Sequence, residues 1–166
     1  MNRIRAVLFY VCLSTITLTA CNEGLAPRVE KSGISGTIRY KHWPPQDSLR
    51  DLRLVAFKRF PPSNIVGDIL QGNAVVYPPI GDTALVPFYV DSLKYTAPLP
   101  PGKYEYVVIA QRYGPNIFTD WRPVGQYDLD TNYATPSPVV VLDGTLTRFV
   151  DINVDFRNPP PFPFPR

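Results

Sequence analysis

The sequence predicts an all-β fold, a seven-stranded antiparallel β-sandwich preceded by a signal-peptide helix, and three observations predict it. Apolar residues recur at period two over short stretches, the pattern of strands with one wet face. Twenty prolines interrupt those stretches, several as pairs: Pro44-Pro45, Pro61-Pro62, Pro78-Pro79 and Pro100-Pro101. A proline has no amide proton and a fixed φ, so a pair cannot sit inside a helix or a central strand and marks the space between elements. Ten tyrosines and nine phenylalanines suit pleated, half-buried surfaces, and no long helical period accompanies them.

The chain opens on a basic head, Met1-Asn2-Arg3-Ile4-Arg5, followed by an apolar run over residues 6–18. That run is shorter than the roughly 18–20 residues of a spanning helix. A basic head, a short apolar body and a small-residue exit describe a secretory signal, here residues 1–20, which is removed and takes no part in the fold. The exit, Leu18-Thr19-Ala20-Cys21, resembles the lipobox of bacterial lipoproteins. The resemblance implies cleavage between Ala20 and Cys21, a diacylglyceryl group on the Cys21 thiol, and acylation of the new amino terminus. Two or more chains anchor a protein stably where one does not. By the same resemblance, Asn22 after the cysteine points to the outer membrane, on either its periplasmic or its surface face. Residues 21–32 form a polar tether.

The strands follow. Residues 34–41 alternate, with Ile34, Ile38 and Tyr40 on one face. Residues 52–57 place Leu52, Leu54 and Ala56 opposite Arg53, Val55 and Phe57. Residues 59–84 are a long excursion broken by proline and glycine, with one helical turn at residues 65–70; loops of this length often carry function. Strand character resumes over 85–95, where Pro87 marks an edge or bulge. Leu99-Pro100-Pro101-Gly102 is a turn. Residues 103–112 form the strongest strand, with Tyr104, Tyr106, Val108 and Ala110 on one side and Val107 and Ile109 on the other, so its middle is covered on both sides. Residues 124–129 and 139–142 are short strands, and Asp143-Gly144 is a tight turn. The last strand, 146–156, turns Val150, Ile152, Val154 and Phe156 inward. Residues 158–166 are a proline-rich tail with polyproline II character.

ISGTIRY, LRLVAF, LPPGKYEYVVIA and FVDINVDF, over residues 33–157, resemble the transthyretin-like or carboxypeptidase regulatory-like sandwich, a carbohydrate-binding-like fold found in small lipoproteins of the Bacteroidota type. Leu99, Pro101, Gly102 and Tyr104 carry the resemblance, which implies that the turn aims Tyr104 into the core beside the first strand. An enzyme of this topology, the hydroxyisourate hydrolase, uses several histidines and a C-terminal Tyr-Arg-Gly-Ser. This chain has one histidine and ends Phe-Pro-Phe-Pro-Arg, so hydrolysis does not carry over.

Removing the signal leaves 146 of 166 residues, one domain by length, and leaves 15 bases against 14 acids once Arg3 and Arg5 have gone. So balanced a charge gives no long-range field for a polyanion, and no basic cluster interleaved with aromatics marks a nucleic-acid site. Cys12 would leave with the signal and Cys21, by the lipobox resemblance, would be lipidated, so no thiol is expected to remain for a disulfide, a metal or nucleophilic attack. His42, the single histidine, reads as a loop residue at a strand end. Asp128, Asp130 and Asn132 lack the glycine and distant glutamate of a calcium loop and read as solvated. No cofactor, no metal and no catalytic constellation is expected, and the chain reads as a non-enzyme. The expected contacts are the loop aromatics Trp43, Tyr113, Phe118, Trp121 and Tyr133, which either cap the open ends of the core or hold a ligand. The expected partners are the membrane, through the N-terminal lipid, and an envelope protein or a glycan.

Overall fold

The computed structural model describes residues 31–63, 65–82, 86–130 and 132–163. The expected signal peptide, Ala20, Cys21 and most of the tether lie outside the described residues, as does the end of the tail. Among the described residues there are ten strands: β1 (Gly33–Lys41), β2 (Asp51–Phe57), β3 (Ala74–Tyr77), β4 (Ser92–Pro98), β5 (Gly102–Tyr104), β6 (Tyr106–Arg112), β7 (Trp121–Tyr127), β8 (Val139–Val141), β9 (Leu146–Thr147) and β10 (Ile152–Asp155). One short helix, α1 (Ile65–Leu70), falls where the helical turn was expected.

The all-β expectation holds. The main sheet runs β3-β2-β6-β7-β10-β1-β4, with β9 beside the start of β1, and β5 with β8 forms a separate two-stranded sheet. The sheet is mixed where an antiparallel one was expected: β1 runs parallel to both β10 and β9. The cause lies in residues 146–156, which read as one strand. Phe149 takes a left-handed φ of 64° and is exposed, so the chain breaks there and β9 and β10 lie separately along β1. Residues 103–112 break similarly. The break falls at Glu105, so that Tyr104 in β5 pairs with β8 while Tyr106 opens β6 beside β2.

Alternation decides what lies inside. Ile34, Ile38, Leu52, Leu54, Ile109, Val124, Ile152 and Val154 are buried together in one core on the inner face of the sheet. Each such aliphatic side chain withdrawn from water contributes about 1.5–3 kcal/mol. Tyr104, Val139 and Val141 bring the small sheet onto this core. The turn before Tyr104 is fixed by the tyrosine itself, whose hydroxyl donates to the Pro100 carbonyl at 2.9 Å.

The middle of the sheet is covered on its outer face too. All seven residues of β2 are buried. Val55, Phe57, Tyr106, Val108 and Ala110 form a second apolar cluster, against which Ile65 and Ile69 of α1 pack. The excursion at 59–84 therefore has a job: α1 roofs the outer face, and β3 then pairs with β2 from Leu54–Tyr77 to Phe57–Ala74. β3 was not expected. Its four residues sit between Gly72 and Pro78-Pro79, a stretch too short for periodicity to declare itself.

Candidate functional site: a cavity on the outer face

The outer cluster does not fill the space under its roof. A cavity of about 510 Å³ lies over the outer face of β2 and β6, within the range of about 300–1,000 Å³ typical of small-molecule sites. Strand register places its floor. Asp51, Arg53, Val55 and Phe57 of β2 lie opposite Arg112, Ala110, Val108 and Tyr106 of β6, and all eight line the cavity. Ile65, Ile69 and Leu70 of α1 form the roof, Phe118 and Trp121 stand at the β7 side, and Phe162 and Pro163 of the tail complete the wall.

The charged end is built around an ion pair. Arg53 Nε donates to Asp51 Oδ2 at 3.0 Å, and its Nη1 donates to the carbonyls of Pro78 and Pro79 at 3.0 and 3.2 Å. Both side chains are nearly inaccessible, so each charge depends on the other for compensation. The proline pair thus supplies acceptors as well as a chain break. Asp51 Oδ1 has no hydrogen-bond partner among the described residues, and neither has the Tyr106 hydroxyl. Burial pushes the Tyr106 phenol well above its ordinary range, so it stays a neutral donor. Its ring packs on Phe57 and Phe60, with centroids 5.8 and 5.1 Å away. Arg122 Nε donates to Gln111 Oε1 at 2.9 Å.

The five aromatics expected in loops separate, and Trp121 stands not in a loop but at the start of β7, paired with Arg112 of β6. Trp121 lies in the outer cluster, its indole N–H donating to the Ile117 carbonyl at 2.7 Å, and Phe118 beside it is 61% exposed. Tyr113 lies close by, in a shallow recess shared with Trp121 and Phe162. Trp43 belongs elsewhere. Its ring packs on Tyr40 and Phe156 at 4.7 and 4.8 Å, and its N–H donates to the Val90 carbonyl, so it caps the inner core. Tyr133 lies in another loop, where its carbonyl accepts from Gln126. Of the other candidates, His42 Nδ1 bonds Asp155 at 2.8 Å at the surface, and Asp128 accepts from Ser137 and Gln126. Among the described residues no group of acidic, histidine or cysteine side chains could hold a metal ion. No helix among them is long and apolar enough to cross a membrane.

Most of the cavity was not among the sequence candidates. Arg53, Val55 and Phe57 read only as the face of a strand opposite Leu52, Leu54 and Ala56, and Tyr106 only as one side of a strand covered on both. The available signal was β2 itself, where two large apolar residues share a face with Arg53; a face of that composition needs a cover. Compared with family models, with curated proteins and with solved structures, the chain matches none.

Proposed function

We propose that this protein is a non-catalytic binding module of the cell envelope, a transthyretin-like sandwich moored through lipid on Cys21, most simply at the outer membrane, with the outer-face cavity as its ligand seat. One observation carries the binding role: the apolar cavity of about 510 Å³ between α1 and the outer face of β2 and β6. Burying a sheet face only partly leaves apolar surface in contact with water, and an apolar guest gains by displacing that water. Support for the anchor comes from the order of residues 1–21, and support for the sandwich type from the Leu99–Tyr104 turn with its buried tyrosine. Two measurements test the proposal. Metabolic labelling with palmitate marks the wild-type protein and fails on Cys21→Ser; unlabelled wild type ends the anchor. The neutral apolar dye Nile red binds saturably, and Val108→Trp, which fills the cavity floor, abolishes the binding; a dye indifferent to that substitution ends the seat.

A glycan-binding role is the second reading, favoured by the exposed Phe118 beside Trp121, since such rings stack on sugar faces. It predicts a glycan-array signal that falls on Trp121→Ala. An empty array removes it.

A further inference from the structure

The cavity is polarised from end to end, and the polarity names a ligand class; this step rests on the seat proposed above. Along β2 and β6 the facing pairs run Asp51–Arg112, Arg53–Ala110, Val55–Val108 and Phe57–Tyr106. Charge therefore sits at one end, and only hydrocarbon and aromatic surface at the other, under Ile65 and Ile69. Four arginines line the charged end, Arg50, Arg53, Arg112 and Arg122, against Asp51 and Asp82. Arg53 is neutralised by Asp51. Arg50 and Arg112 have no side-chain hydrogen bond or ion pair among the described residues; the one bond between them joins the Arg50 backbone N–H to the Arg112 carbonyl. The cavity thus offers a buried apolar slot leading to unpaired guanidinium groups.

We propose that the ligand is a single-chain anionic amphiphile, an acyl carboxylate, with its chain under α1 and its head against Arg50 and Arg112. A guanidinium fork matches a carboxylate with two parallel hydrogen bonds. A cationic head would meet uncompensated arginines. A sugar would bring many hydroxyls to walls that, apart from the guanidinium groups, offer as unpartnered polar atoms only Asp51 Oδ1 and the Tyr106 hydroxyl, both sealed from contact. Such unmade hydrogen bonds count against binding. The volume suits one chain of moderate length.

The test is calorimetric titration of the full-length protein carrying Cys21→Ser, so that no acyl anchor of its own competes. Three ten-carbon probes differ only in the head: decanoate, decyl maltoside and decyltrimethylammonium, each below its micelle concentration. Decanoate is expected to bind one-to-one and about tenfold or more tighter than the cation, with the preference shrinking as salt rises. Arg50→Gln with Arg112→Gln is expected to weaken decanoate about tenfold and leave decyl maltoside unchanged, since only the charged head uses those groups. Equal affinity for all three heads, or preference for the cation, overturns the anionic head while leaving the apolar seat standing. A double variant that weakens decanoate and decyl maltoside alike also overturns it. No binding of any probe overturns head and seat together. Arg50 is exposed, so Arg50→Gln alone keeps the test decisive if the double variant unfolds.

Discussion

Two tyrosines show how a single hydroxyl changes sign with its surroundings. Tyr95 donates to the Val150 carbonyl at 2.7 Å in the core, whereas the buried Tyr106 hydroxyl has no partner among the described residues. Removing the first oxygen orphans a buried carbonyl; removing the second relieves an unmet donor. Tyr95→Phe is therefore expected to destabilise by about 1–2 kcal/mol, and Tyr106→Phe to be neutral or stabilising by up to about 1 kcal/mol, read from urea unfolding. A clear loss of stability on Tyr106→Phe would mean that the hydroxyl is satisfied. Asp155 offers a pH-dependent case. The hydrogen bond from His42, helped by the backbone N–H groups of Arg157 and Asn158, holds its carboxyl below the usual range. A carboxyl with a depressed folded pKa stabilises above the unfolded value, about 3.9, and loses that contribution as pH falls through the folded one. The melting temperature of the wild type should thus exceed that of Asp155→Asn most near neutrality, and the gap should close on acidification. A gap that widens in acid contradicts the bond. The group is exposed, so the effect is small.

At the scale of elements, β1 is the strand on which the parallel pairings depend, and Gly36 is what lets it lie there. A Cβ at residue 36 would collide with the backbone carbonyl of Val150, whose N–H bonds the Ser35 carbonyl at 3.0 Å. Backbone cannot yield as a flexible side chain does. Gly36→Ala is expected to cost about 2–3 kcal/mol by heat or urea unfolding, and a cost under about 0.5 kcal/mol would show that the segment before β10 does not press on β1. This contact also marks the limit of what the sequence discloses. The alternation of β1 and β2 and the inward set Val150, Ile152, Val154 and Phe156 were legible because period two is a local signal. The helical turn at residues 65–70 was legible for the same reason. Pairing between strands more than a hundred residues apart was not, and neither was the break at Phe149, since phenylalanine does not announce a left-handed φ. In the site, Phe118 and Trp121 could be named as contact aromatics, but Asp51, Arg53 and Tyr106 acquire their meaning only when α1 and the Pro78-Pro79 carbonyls close over them.

Taken whole, the molecule has two apolar bodies of unequal quality on the two faces of one sheet. The inner one is closed: Ile152 is fully buried between β1 and β7. The outer one is roofed by a six-residue helix and keeps a cavity beside it. A helix that short has little stability of its own and holds its place through Ile65 and Ile69. The same truncation should therefore cost different amounts on the two faces. Ile152→Ala removes a side chain from a packed core and leaves a void, at about 3–4 kcal/mol. Ile69→Ala enlarges a space that already exists around a half-buried residue, at about 1 kcal/mol. Urea unfolding of the two variants measures the difference, and equal costs would mean that the outer layer is as fully packed as the inner core. Because the seat lies in the weaker layer, its occupant would act there: bound decanoate should slow amide exchange in α1 (Ile65–Leu70), whose opening releases the ligand, as well as in the core amides of β1 and β10, which exchange by the global unfolding that also releases it. Slowing in the core with none in α1 would place the binding away from α1.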